Sequence, residues 1–201
     1  MKIDFKRTLP AYSAERGKFQ IVDVPPLQYL MVDGSGDPNT AQEYRDAVGA
    51  LYPLAYSLKF ASKGLDKDYV VMPLEALWWA ADMDSFTSDR DKSKWNWTAM
   101  IMVPDWIDAA MFDAAVSSSR KKNPPDALDQ IRLSGLSEGR CVQILHIGPY
   151  DDEAETLARM HDEYIPDAGL TMTGKHHEIY LSDPRRVEPA RLRTILRQPV
   201  E

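Results

Sequence analysis

Apolar and polar positions alternate along this chain in a way that sorts it into strands and helices with few gaps. Phe19–Val24 and Leu27–Asp33 are short strand-like runs parted by Pro25-Pro26, and the turn cluster Asp33-Gly34-Ser35-Gly36-Asp37-Pro38-Asn39 follows. A helix is expected from about Thr40, which has capping-box spacing to Glu43. Tyr44, Ala47, Val48, Leu51, Leu54, Ala55 and Leu58 recur at three and four as one apolar stripe, and Pro53 within it predicts a kink or break. Tyr69–Ala81 and Trp95–Val103 read as strands joined by the polar loop Asp82–Lys94. Pro104–Lys122 is a second helix, striped by Trp106, Ile107, Ala110, Met111 and Ala114. Its basic end, Arg120-Lys121-Lys122, suits the carbonyl pole, and Asn123-Pro124-Pro125 stops it.

Ile131–Leu136 and Gly139–Ile147 form another strand pair. After Gly148-Pro149-Tyr150 comes a third helix, Asp151–Ile165, with Ala154, Leu157, Met160, His161 and Tyr164 inward. The strand His176–Ser182 and a last strand near Leu192–Val200 complete the series, while residues 1–18 read as a loosely attached lead-in. Strand, glycine turn with an acid, and helix occur at Leu27–Leu54 and again at Arg140–Ile165, each followed by a strand pair. Neither half can cover its sheet alone, so two βαββ units should pack about a pseudo-twofold. The expected class is α+β: a tandem βαββ repeat with a curved antiparallel sheet, helices on one face and a ligand groove on the other. Residues 1–201 form one domain in this reading, with halves at about 19–103 and 104–201.

Within His176–Ser182, Ile179 and Leu181 alternate with Glu178 and Tyr180, and Ser182-Asp183-Pro184 ends the strand. If the apolar pair faces the core, Glu178 and Tyr180 project together from the opposite side. That is either a wetted strand face or an acceptor and a donor held rigidly at a pocket. Four of the five tryptophans, Trp78, Trp79, Trp95 and Trp97, fall in one strand pair. They cannot all be buried on one small face, so some should line a concave surface for flat ligands. Glu75 beside them is a second candidate carboxylate. Tyr52 and Tyr56, four apart on the first helix, are core-edge packing or an aromatic pocket wall.

Bulk properties narrow the partners. A net charge of −7 argues against a nucleic-acid phosphate binder. No run of 18 apolar residues exists for a membrane span, and the N-terminus lacks a signal-peptide core. The single cysteine, Cys141, cannot form an internal disulfide, which fits a reducing cytoplasm, and reads as a buried, inert thiol. Adjacent His176 and His177 face opposite ways on a strand, and His146 and His161 have no acidic neighbours at ligand spacing, so no metal site and no cofactor are expected. The glycines of the first turn match neither a Walker loop nor a full dinucleotide fingerprint. Ser117-Ser118-Ser119 is a helix-end run, not a nucleophile elbow.

Taken together, Gly34–Pro38, Leu51–Phe60, Leu74–Trp79, Trp95–Ile101, Val142–Tyr150 and His176–Arg185 resemble the GyrI-like small-molecule-binding family. That fold also serves as the effector domain of multidrug-sensing transcription activators. The resemblance implies an aromatic groove with a central glutamate, carried here onto Glu178. Without a helix-turn-helix, the chain looks like a stand-alone member, a monomer or homodimer acting on planar aromatic small molecules. Stand-alone members with the tryptophan-rich hairpin are similar to enzymes that hydrolyse cyclopropanoid DNA-alkylating toxins. Glu178 and Tyr180 are then the expected catalytic pair; Trp78, Trp97, Tyr52, Tyr56, Glu75, Met100, His146 and Tyr150 are the expected substrate contacts. Ala76 stands where the family's run carries glycine, and its methyl is expected to narrow the groove. The other reading is a non-catalytic binder of planar, often cationic, aromatic compounds.

Overall fold

The structure, a computed structural model, describes residues 2–80, 91–121 and 124–201. Most of the expected loop 82–94, together with Lys122 and Asn123, lies outside the described residues. The strands are β1 (Gln20–Val24), β2 (Leu27–Ser35), β3 (Leu74–Trp79), β4 (Asn96–Val103), β5 (Arg132–Leu136), β6 (Gly139–Ile147), β7 (His176–Tyr180) and β8 (Arg193–Pro199). They form one antiparallel sheet in the order β1-β6-β8-β7-β3-β4-β2-β5. The order is symmetric about the β7–β3 pair, and each half contains the expected series of strand, helix, strand, strand (from β2 and from β6), preceded by one further strand, β1 or β5.

Two short links bend this sheet. β1 and β2 are parted only by Pro25-Pro26, and β5 and β6 only by Ser137-Glu138, yet in each pair the strands lie towards opposite ends of the sheet. Three peptide steps span at most about 11 Å. The two ends must therefore curl towards each other, and the prolines, which cannot extend a ladder, divert β1 away from β2.

The helices are α1 (Phe5–Thr8), α2 (Gln42–Gly64), α3 (Ala109–Arg120) and α4 (Glu153–Ala158). α2 buries Ala47, Ala50, Leu51, Leu54, Ala55 and Leu58 against β2 and β4. It begins at Gln42 with Ala41 as N-cap, so the Thr40–Glu43 capping box does not form; the Thr40 N–H is already given to the Asp37 carbonyl at 3.1 Å. The helix also runs unbroken through Pro53. A proline costs about 3 kcal/mol in a helix interior, and burial of three leucines at about 1.5–3 kcal/mol each outweighs it. α3 starts five residues later than expected, where the Asp108 carboxylate accepts the Met111 N–H at 2.8 Å. β3 likewise starts late, directly after Pro73.

α4 continues into a π-helical turn, Arg159–Tyr164, and a closing turn, Ile165–Asp167. Met160 and Ile165 pack on Val142, Ile144 and Leu196. Both main helices therefore lie on one face of the sheet. The opposite face is crossed by the N-terminal segment, which is not a loose lead-in. Ala11 and Tyr12 are buried, the Ser13 carbonyl accepts from Gln143 Nε2 at 2.9 Å, and Ile3 bridges to Tyr69.

Candidate functional site

The antiparallel register decides which side chains share a face. Trp78 pairs with both Trp97 and His176, Ala76 with both Ala99 and Glu178, and Tyr180 with Thr194. These residues face α2 and α4. Between the two helices, over β3 and β7, lies a cavity of about 1220 Å³. The expectation that helices and groove take opposite faces is thus corrected: the groove runs between the helices on their own side.

Its walls are aromatic. Tyr44, Tyr52 and Tyr56 come from α2, Trp78 and Trp95 from the hairpin, and Tyr150 from the turn before α4. Tyr44 stacks on Trp78 with centroids 5.9 Å apart, and Trp95 meets Trp78 edge-on at 5.6 Å. Tyr150 packs against Tyr180 at 5.6 Å, and the Tyr52 hydroxyl accepts the Leu74 N–H at 3.2 Å, which fixes that wall. Tyr56 is half exposed at the rim.

On the floor, Tyr180 Oη donates to Glu178 Oε2 at 2.7 Å and accepts from Trp78 Nε1 at 3.1 Å. Burial and the Glu178 charge push the Tyr180 phenol well up, so it stays protonated. Glu178 Oε1 lies 3.5 Å from His176 Nε2, too far for a hydrogen bond. His176 packs edge-on against His161 at 5.9 Å. Burial and then His176 hold His161 down at about 4, so it is neutral at pH 7. Glu153, the first residue of α4, is buried in the wall, and among the described residues its Oε1 has no hydrogen-bond partner. Burial and then Glu178 raise its carboxyl well above the usual range.

Of the sequence-predicted residues, Glu178, Tyr180, Trp78, Tyr52, Tyr56 and Tyr150 are brought together here. Trp97, Met100, His146 and Glu75 are not. Trp97 shares the face but is fully buried beneath Tyr44, over Gly34, where a Cβ would lie only 2.2 Å from its ring. Met100 is fully buried and pairs with Glu75 on the reverse side. His146 faces the Pro149 carbonyl at 3.2 Å. Ala76 is fully buried beside Glu178, its register partner on β7, and does not line the cavity, so its methyl does not narrow it.

Glu75 is the clearest correction. It is fully buried on the reverse side, where Oε1 accepts from Tyr12 Oη at 2.7 Å and Oε2 faces His177 Nε2 at 3.0 Å. His177 Nδ1 meets Glu138 Oε1 at 2.9 Å, and Arg197 Nη1 binds Glu138 Oε2 at 2.8 Å. Arg197 Nη2 also donates to the Ala11 carbonyl. Burial alone would raise the Glu138 carboxyl, but His177 and Arg197 overcome it and hold it at about 2. Burial would lower His177, and Glu138 with Glu75 raise it instead. Both oxygens of each carboxylate are used, which marks a structural clamp. A shallower depression of about 450 Å³ also lies on this side, beside Leu77, Arg132 and Lys175.

Sequence reasoning missed Tyr44, Trp95, Glu153, His161 and His176 as groove residues. Tyr44 was legible as the one polar-tipped aromatic in the α2 stripe. Glu153 carried no signal, because an acid in the first turn of a helix reads as dipole matching. Among the described residues, no group of three or more His, Cys, Asp or Glu could hold a metal ion, and no helix is long and apolar enough to cross a membrane.

Comparison with known proteins gives a consistent family. Residues 17–201 match the GyrI-like small molecule binding domain. The chain is similar to an uncharacterized conserved protein from Listeria innocua, at 40% identity over 99% of this chain and 100% of that one, with a TM-score of 0.89. It is similar to a protein described as a hydrolase from Listeria innocua, at 39% identity over 99% and 100%, TM-score 0.86. The EcmrR C-terminal domain shares the fold at 12% identity over 92% and 97%, TM-score 0.57. No curated protein matches the chain.

Proposed function

Since this chain belongs to the GyrI-like small molecule binding domain family, we propose that it hydrolyses planar cyclopropanoid alkylating toxins in the groove between α2 and α4, as a protective activity. The observation that carries this reading is Glu178: a carboxylate on a rigid strand, oriented by Tyr180 and walled by indole and phenol rings. Support comes also from the hydrolase description attached to a relative of 39% identity.

The chemistry asks for little covalent help. The planar body stacks among Trp78, Trp95 and Tyr44, and Glu178 takes a proton from a water directed at the strained ring carbon. The ring C–C bond breaks, and its electron pair moves through the conjugated dienone to the carbonyl oxygen, which becomes a phenolate and then a phenol. Tyr180 has its one proton on Glu178, so its role here is to position the base rather than to protonate the product. The test is mass spectrometry of a cyclopropanoid alkylator incubated with wild type and Glu178→Gln. A water adduct is expected from wild type and not from the variant; equal rates would remove Glu178 as the base.

A second reading, binding without chemistry, draws on the same carboxylate among aromatic rings, a setting that also attracts a flat cation. Tryptophan quenching by a rhodamine dye, with every cyclopropanoid recovered unchanged, would select it.

A further inference from the structure

From the remaining groups in the groove wall we infer that Glu153 is a second functional carboxyl, the proton donor that protonates the oxygen on which negative charge develops. This rests on the hydrolytic reading above and supplies what that reading lacks.

Several proton carriers of the wall are committed elsewhere or are too weak as acids. The Tyr180 proton is committed to Glu178 at 2.7 Å. Tyr150 is pushed to about 12 by burial, and burial raises Tyr44 further, so both phenols are poor acids. His161, held at about 4, carries no spare proton at neutral pH. Glu153 remains. It is 5% exposed yet lines the cavity, and among the described residues its Oε1 has no hydrogen-bond partner. A buried carboxylate with an unanswered oxygen is costly, whereas a buried carboxylic acid is a donor awaiting an acceptor.

Groups face it from several elements. Glu178 and Tyr180 approach from β7, Tyr150 and Asp151 from the preceding turn, Lys92 from the segment before β4, and Thr194 from β8. Among the described residues acting on it, Thr194 and Lys92 favour the ionised form, and Lys92 is shared with Asp151 at 3.0 Å. Burial and the Glu178 charge favour the neutral form and prevail. A carboxyl held in its neutral form, with Glu178 nearby presenting an unanswered oxygen, supplies the two halves of an acid–base pair.

In the step, water gives its proton to Glu178 and its oxygen to the ring carbon, while the broken C–C pair becomes the phenolate oxygen's charge. Glu153 gives that oxygen its proton and becomes a carboxylate. The proton on Glu178 then returns to Glu153 through solvent, so both groups end as they began and the substrate has gained one water.

The experiment uses two readouts on the full chain. One is the pH–rate profile of cyclopropanoid hydrolysis by wild type and Glu153→Gln. The variant is expected to lose about 10²-fold in turnover with KM within about threefold, and to lose the alkaline fall that wild type shows as Glu153 ionises. The other, independent of turnover, is a carbon-13 NMR titration of labelled glutamate. One carboxyl is expected to remain protonated at neutral pH and to vanish in Glu153→Gln. An active wild type with an unchanged Glu153→Gln profile overturns the donor role alone, as does a Glu153 signal that titrates with the exposed glutamates. An inert wild type overturns the hydrolytic reading, and the donor role with it.

Discussion

Glu75 and Glu178 lie on adjacent strands, one step apart in register, and the sheet gives them opposite lives. Glu75 faces the N-terminal segment, with one oxygen taken by Tyr12 and the other by His177. Glu178 faces the groove, with one oxygen taken by Tyr180 and the other 3.5 Å from an unbonded histidine nitrogen. A carboxylate whose lone pairs are all answered holds a fold together. One left with an unanswered edge inside an aromatic cavity is available to a ligand or a water.

Exchanging the charge on either side should separate the two roles. The largest effect expected is Glu178→Gln, which should slow cyclopropanoid turnover by about 10²–10⁴-fold while costing no more than about 1.5 kcal/mol of stability, since glutamine keeps an acceptor for Tyr180. Glu75→Gln should do the reverse. It takes the charge from a fully buried His177 pair and should cost about 3–5 kcal/mol in urea unfolding, with dye affinity of the folded fraction retained.

Acid and base should find the clamp before the groove. Glu138 is depressed to about 2, so its contribution is present above its ordinary 4.5 and lost as pH falls from there to about 2. His177 is raised above 6.5, so its contribution is complete below that value and lost as pH rises through its folded pKa. Denaturation midpoints against pH should therefore fall on both sides of a plateau, and Glu138→Gln should flatten the acid side.

Smaller still is Tyr180→Phe. It removes one hydrogen bond to a charged group, worth about 1.5–3 kcal/mol, and should lower turnover by roughly tenfold or more with KM little changed. Tyr56→Ala, at the exposed rim, should weaken dye binding only a few-fold and leave stability within about 0.5 kcal/mol.

The repeat and the pairing of Glu178 with Tyr180 were legible because periodicity two fixes which neighbours share a face. What periodicity cannot say is which face meets which element. Glu75 and Trp78 alternate on one strand, and only the docking of Tyr12 and Ala11 on the reverse side decides that Glu75 is sealed. Residues 1–18 look like an appendage because their apolar positions are sparse, yet Arg197 draws the Ala11 carbonyl into the clamp across 186 positions. Pro53 misleads for the opposite reason: a local rule is overridden by leucines that have somewhere to go. Glu153 stayed hidden since helix-start acids are common and burial is a tertiary fact.

The most direct test of the central claim is a crystal structure with a planar aromatic ligand bound. The ring system should lie between α2 and α4, against Trp78 and Tyr44, with its reactive edge at Glu178. A ligand seated instead on the reverse side, in the depression beside Arg132 and Lys175, would contradict it.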